Sequence, residues 1–298
     1  MAALIPFLVH IMIDRSKRKV FVSNFVALGL AEQTEILAYA DFMTGAPASV
    51  CEGLGVASLD LGSALALVVK NDPSHFFNRV GGFSVDRPPS SDDVARVGNF
   101  FRAHEVGRGA FMVAPLLLTP EWYGIAERAG LTPDRSYVKL VRDVEMVPTA
   151  GGFPALDPGL RVGRVGRDQA QEWGAVMMSG FGFTVPGMVE AAAACVGRPD
   201  WHQYAVWEED RIVAVGSIFV NGECADMFGG ATLAGARGRG AQSALLTARI
   251  MAAREAGCRW IVAETGSESP GEHNSSLHNM QRAGFRPLYE RLTWLWRG

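Results

Sequence analysis

Lysine is scarce in this chain. Only Lys17, Lys19, Lys70 and Lys139 occur, and every Lys-or-Arg position after Lys139 is arginine. The formal net charge is −3 and the sequence pI about 6.1. That excludes a global basic footprint for DNA or RNA, although a local arginine patch stays open. Cysteine is also sparse. Cys51, Cys195, Cys224 and Cys258 lie far apart, form no C-x-x-C pair and have no zinc-ligand spacing. They sit among apolar residues, which points to buried free thiols in a reducing cytoplasm. No apolar run is long enough to span a bilayer. The most hydrophobic N-terminal stretch, 2–13, is too short, and its cations (Arg15, Lys17, Arg18, Lys19) follow it, the wrong order for a secretory signal. It reads as a buried strand or helix, or as an upstream extension of the true start.

What is present is a globular composition, 48% apolar and 20% charged over 298 residues. That suits one large domain or two of ordinary size. The best boundary is the stretch 147–159, which holds three prolines and three glycines. It cuts the chain into two α/β units, 1–150 and 151–298.

The second unit alternates clearly. Strands are expected at 160–165, 203–207, 212–220, 224–233 and 260–264, with a closing strand-like run at 285–296. Helices are expected at 168–179, 186–196, 241–256 and 275–283, and Asn221-Gly222 signals a hairpin. In the first unit, strands are expected at 64–69, 81–85, 111–118 and 136–144. Helices are expected at 91–104, opened by Ser90 or Ser91, and at 120–129. Ala129-Gly130-Leu131 mirrors Ala283-Gly284-Phe285 and suggests a weak internal repeat.

The most informative segment is Ala231 to Leu246. It reads as a strand end (Ala231, Thr232, Leu233), a tight turn containing Arg237, Gly238, Arg239 and Gly240, and a helix opening at Ala241, Gln242 and Ser243. Glycine lets the backbone fold closely, and the free N–H groups of a new helix attract anions. That is a recipe for holding a phosphate or pyrophosphate, and two arginines add forked donors. It is neither G-x-x-x-x-G-K-[ST] nor G-x-G-x-x-G, because no lysine follows Gly240 and Ser243 stands where a third glycine would be. An ordinary strand-to-helix turn with two solvated arginines remains the alternative from these residues alone.

Arg237-x-x-Gly240-x-Gln242, followed downstream by Asn274 and by Arg282-Ala283-Gly284-Phe285, resembles the signature of the GCN5-related N-acetyltransferase (GNAT) superfamily. The order of elements over 160–297 matches that fold as well. The resemblance implies an α/β fold of two tandem lobes, each a mixed, mostly antiparallel sheet flanked by helices, with a degenerate first lobe. It implies acetyl-CoA, or another acyl-CoA, as co-substrate. The loop amides would hold its pyrophosphate, and its pantetheine arm would lie in a splay between the strand before the loop and the strand at 260–264. Gly229 and Gly230 fit such a close approach. Asn274 and Asn279 would contact the arm. At the corresponding place the first lobe has Asp86, Pro88, Pro89, Asp92 and Asp93, where prolines remove amide donors and carboxylates repel phosphate. One acyl-CoA site, in 151–298, is expected.

The implied chemistry is direct attack of an amine on the thioester. It needs a base, donors for the oxyanion and often an acid for the thiolate. Asp226 falls where many members carry an acid and is the first candidate base; Glu264 is the second. Many members place a tyrosine four residues before the glycine of Gly-Phe. Here that residue is Met280, a thioether that cannot donate a proton. His278, Ser276 or Asn279 are the substitutes, or the thiolate leaves unaided. His273 and His278 lack further partners for a metal, and none is expected. Among Phe181, Phe183, Trp201, Trp207 and Phe228, one or two are expected to line an acceptor pocket.

The leading expectation is therefore an acyl-CoA-dependent N-acyltransferase, acetyl first, acting on a small-molecule amine in the cytoplasm, without DNA or membrane partners. Two alternatives are a tandem transferase using aminoacyl-tRNA as donor, disfavoured by the acidic net charge, and a non-catalytic acyl-CoA-binding module.

Overall fold

A computed structural model describes residues 28–146, 154–269 and 271–298. The apolar run 2–13 and the core of the proline/glycine linker lie outside them. In chain order the first half contains helices α1 (Leu28–Thr44) and α2 (Ala48–Leu54), and strands β1 (Val56–Asp60), β2 (Leu65–Val69) and β3 (Arg79–Gly81). Helix α3 (Ser91–Ala103), β4 (Arg108–Met112), α4 (Pro120–Arg128) and β5 (Thr132–Asp143) complete it. The second half contains β6 (Leu160–Arg164), α5 (Ala170–Phe181), α6 (Met188–Ala194), β7 (Trp201–Glu208), β8 (Arg211–Asn221) and β9 (Cys224–Thr232). It ends with α7 (Ala241–Glu255), β10 (Trp260–Gly266), α8 (Ser275–Arg282) and β11 (Arg286–Arg297).

The second half follows the expected pattern closely. The first half departs from it in three places. Its opening elements, α1, α2 and β1, have no counterpart in the sequence reading. Helix α1 is packed between both halves of the protein and is apolar on several sides, so it lacks the single stripe that betrays a surface helix. The strand expected at 81–85 sits at β3 instead, because Gly82 (φ +89°) turns the chain away where a Cβ would meet the Ser63 carbonyl at 2.8 Å. The strand expected at 111–118 stops at Met112, and Pro115, with no N–H to give a ladder, opens a short 3₁₀ turn.

Among the described residues the strands form one sheet rather than two, in the order β1-β2-β3-β4-β11-β5-β10-β9-β8-β7-β6. It is mixed and mostly antiparallel, with parallel pairing at β3/β4 and β9/β10. The two sheets merge because each lobe's closing strand is placed against the other lobe. Strand β5 pairs with β10, and β11 pairs with β4, while β5 and β11 pair with each other. The aromatic pattern follows. Trp294 and Trp296 of β11 complete the first lobe's core around Phe101, Phe111 and Trp122.

The repeat suggested by the Ala-Gly-Leu and Ala-Gly-Phe triplets is reproduced in three dimensions. Gly130 (φ +66°) and Gly284 (φ +82°) both end a helix in the left-handed region, and each leads into a closing strand. Arg142 of β5 donates to the Ala283 carbonyl, clamping one lobe's closing strand onto the other lobe's helix end.

Helix α1 belongs to the first lobe by sequence but lies over the centre of the shared sheet. Ala38, Phe42 and Met43 pack with Trp173, Trp201 and Phe228 of the second lobe. The Asp41 carboxylate accepts from Arg198 and from the Trp201 indole. Among the described residues no helix is long and apolar enough to cross a membrane.

Candidate functional site

Strands β9 and β10 are hydrogen-bonded at only three positions, Cys224 to Trp260, Ala225 to Ile261 and Asp226 to Val262. Beyond Asp226 they separate. On its other edge β9 carries a bulge, where Gly229 (φ +62°) and Gly230 stand opposite Gly216 alone. The result is a V-shaped opening in the sheet, and a cavity of about 850 Å³ occupies it. Its lining comes from α1 and α5 on one face and from α7 and α8 on the other.

The open end of the V leads to the arginine/glycine turn. Gly238 (φ +75°) and Gly240 (φ +80°) both take the left-handed conformation. At Gly240 a Cβ would stand 2.4 Å from the Ala155 carbonyl oxygen, so the crossing of these two backbone segments requires glycine. Helix α7 then starts with no side-chain cap, which leaves its first N–H groups directed into the turn. The corresponding helix of the first lobe is closed: Ser90 Oγ accepts from Asp93 N, and the Asp93 carboxylate accepts from Ser90 N, both at 3.1 Å. An anion finds free donors at α7 and a carboxylate at α3.

Among the expected donor-site residues, Ala231, Thr232, Arg237, Gly238, Gly240, Ala241, Gln242, Ser243 and Asn279 line the cavity. Three are absent from its lining and are engaged elsewhere. Arg239 is held away from the turn by Asp157 (3.1 Å) and Glu208 (2.7 Å), so it contributes backbone rather than charge. Leu233 packs against the core and donates its N–H to Val213 O. Asn274 caps α8: its Oδ1 accepts from Ser276 N and Leu277 N, and its Nδ2 donates to Thr265 Oγ1 and Gly266 O. Arg237 is exposed at the rim, with Nε donating to Thr232 O. Gln242, Ser276 and Asn279 form a polar chain between α7 and α8 across the cavity mouth.

Both expected carboxylates lie on the cavity wall. Asp226 stands at the apex of the V, facing α1 and 4% exposed. Burial pushes its carboxyl up to about 8, with Lys139 opposing only in part. Glu264, one strand over, is raised to about 7, again chiefly by burial, while Arg291 beside it pulls the other way. They belong to a cluster that sequence reading did not assemble. Lys139 of β5 is the cross-strand neighbour of Glu264. Arg291 of β11 donates to Glu32 and Glu35 of α1 and to Glu264. Lys139 Nζ lies 2.8 Å from Glu35 Oε2, and Tyr289 donates its hydroxyl to Glu32. Arg291 and Lys139 together hold the Glu35 carboxyl down to about 2 against its own burial.

Arg79 lies 4.1 Å from the ring centroids of both Tyr39 and Phe76. Tyr39, Phe76, Phe77 and Tyr137 of the first half line the cavity, and none was legible beforehand. Of the five aromatics singled out in the second half, three line it: Phe181, Phe183 and Phe228. Trp201 and Trp207 are core.

Met280, which stands where the resemblance implies a tyrosine, is buried at the cavity wall. The expected substitute His278 does not line the cavity. Its Nε2 lies 2.9 Å from Glu268 Oε1 on the outer side of α8, so it is withdrawn as a proton donor. Glu268 is also the partner that the spacing of His273 and His278 did not reveal: the three side chains bring ligand-type atoms within 4.8 Å of one another.

Residues 179–285 match the family model described as Acetyltransferase (GNAT) family. Solved structures share the fold over most of the chain. A GCN5-related N-acetyltransferase from Kribbella flavida superposes with a TM-score of 0.58 at 14% identity, covering 87% of this chain and 96% of its own. A tandem GNAT protein from the clavulanic acid biosynthesis pathway gives 0.57 at 15%, covering 91% and 96%. A GCN5-related N-acetyltransferase from Sphaerobacter thermophilus gives 0.58 at 15%, covering 80% and 83%. No curated protein matches. The protein has the two-lobed GNAT fold, and residues 179–285 of its second lobe carry the match to the GNAT family model.

Proposed function

We propose that this protein transfers an acyl group from acyl-CoA to the amine of a small molecule, by direct attack on the thioester. One observation carries the reading: the opening between β9 and β10 runs from an uncapped helix N-terminus at its wide end to the Asp226 carboxyl at its apex. The donor's pyrophosphate meets the amides of the 237–243 turn. Its arm lies along β9, where the bulge at Gly229 and Gly230 frees backbone groups from the β8 ladder. The acyl carbonyl then reaches the apex from the α7 side.

The amine approaches from the α1 side. The cluster there holds four carboxyl groups (Asp226, Glu32, Glu35, Glu264) against three cations (Arg79, Lys139, Arg291). Once Asp226 has given up its proton, an entering ammonium matches the fourth carboxyl, and the aromatic wall suits its organic body. Asp226, with its carboxyl near 8, is matched to accept the proton that the ammonium must lose before attack. With Met280 at the wall, the thiolate leaves without a proton from α8, which its low basicity permits. The four free cysteines fit a reducing compartment such as the cytoplasm.

Calorimetry with acetyl-CoA tests the donor site. Gly240 is unsuitable for substitution because of its contact with Ala155. Gly238 is open: nothing lies within 4 Å of a Cβ there, and Asn and Asp tolerate its left-handed backbone. Gly238→Asp is expected to weaken binding on the order of tenfold or more by adding charge beside the pyrophosphate. Gly238→Asn, the same shape without charge, should stay within roughly threefold of the wild type. Equal affinities for the two variants, or no wild-type binding to any acyl-CoA, would remove the reading.

A further inference from the structure

Arg249 is a buried charged group of the cavity that the amine-transfer reading leaves without work. It lies on α7, eight residues beyond Ala241, or about 12 Å down the helix from the phosphate-binding turn. It is 4% exposed and lines the cavity. Its guanidinium rests on the backbone at the β8/β9 bulge. A Cβ on Gly216 would stand 2.9 Å from Arg249 Cζ, and one on Gly230 would stand 3.5 Å from each terminal nitrogen. The absent side chains of those two glycines are the space the guanidinium fills.

Its only hydrogen bond among the described residues is from Nε to the Leu245 carbonyl, 3.1 Å away. Among them, no carboxylate lies within 4.0 Å of it. The carboxyl whose field reaches it is Asp226, which faces α1 on the other side of the sheet and carries its proton at neutral pH. Burial lowers the Arg249 pKa to about 10, which still leaves the group charged. A desolvated cation without a counter-ion is costly, and a cavity-facing guanidinium presents a planar fork shaped for a carboxylate.

The donor arm runs from the 237–243 turn past the bulge toward the apex, so its acyl end lies on the α7 side between this fork and the apex. We infer that Arg249 selects acyl-CoA donors whose acyl group ends in a carboxylate, such as a malonyl or succinyl thioester, over acetyl. The inference rests on the acyl-CoA reading and names the donor class of that site. Two bonds from the Arg249 terminal nitrogens to the acyl carboxylate would supply the missing counter-charge, with the thioester carbonyl left at the apex for attack.

Binding alone tests it, with no acceptor needed. Affinities for malonyl-CoA, succinyl-CoA, acetyl-CoA and butyryl-CoA (close to succinyl in size but uncharged) are measured for the wild type and Arg249→Met. The wild type is expected to bind malonyl- or succinyl-CoA about tenfold or more tighter than butyryl-CoA. Arg249→Met should erase that preference while keeping butyryl-CoA affinity, with an unchanged or raised Tm because a buried unpaired charge is gone. A wild type that binds acetyl- or butyryl-CoA as well as the charged thioesters overturns the inference and leaves the donor site standing. So does a preference that survives Arg249→Met. No binding of any acyl-CoA by the wild type takes both readings down together.

Discussion

Arg291→Met is expected to lower Tm by roughly 10 °C, the largest stability loss of any single change at the centre of the sheet. Arg291 is fully buried and holds Glu32, Glu35 and Glu264 at once. Removing it leaves three carboxyl groups with Lys139 as the nearest cation, and breaking a buried pair in this way typically costs about 3–5 kcal/mol. The loss has a pH signature. Glu35 ionises well below its usual 4.5 in the fold, so the stability it supplies is present above that value and fades as pH falls toward about 2. The substitution weakens that contribution, so wild type and variant should converge as pH falls across the window. Adding Glu32→Gln should recover part of the lost Tm. A drop under about 3 °C at pH 7 would mean that water reaches the cluster and screens it.

Asp226→Asn is expected to cut kcat/KM by about 10²- to 10⁴-fold with little change in acyl-CoA affinity. Rate would be followed as thiol release with an amine that the wild type accepts. In the wild type, activity should rise with pH through about 8 as the Asp226 carboxyl gives up its proton, and that limb should vanish in the variant. Stability should move the opposite way. The Asp226 carboxyl holds its proton up to about 8 in the fold but loses it near 3.8 when unfolded. Its contribution is therefore fully present below 3.8 and is lost as pH rises through 8. Asparagine has no such term, so the variant should overtake the wild type in Tm as pH climbs to 9. Wild-type rates in Asp226→Asn would transfer the base role to Glu264, whose own carboxyl lies near 7.

The half of the cavity proposed for the donor was legible in sequence because its determinants are local. Gly229, Gly230, Gly238 and Gly240 mark places where backbone must bend or be approached, and they lie within twelve residues of each other. The half proposed for the acceptor was not, because it is assembled from distant segments. Glu35 meets Lys139 across 104 residues, and Arg291 across 256. No periodicity predicts which strand will lie beside which, so the sharing of one sheet was equally hidden. Arg239 misled for the same reason: Asp157 and Glu208, the residues that occupy it, are 82 and 31 positions away. Arg249 was passed over because an arginine on an alanine-rich helix normally faces water. Only the glycines opposite it, on β8 and β9, give it a buried place to go.

The exchange of closing strands has a consequence for how this chain must come into being. The first lobe's core needs Trp294 and Trp296, which are synthesised after almost every other strand and helix of the sheet. The first lobe therefore cannot finish folding while the second is still being made, although it leaves the ribosome first. Its exposed β4 edge and unfilled apolar interior must wait through more than half the chain, a period when such surfaces invite misassociation. Closure of the shared sheet and completion of the N-terminal core then arrive in one late event, so a prematurely ended chain should yield no stable half, only a target for proteolysis.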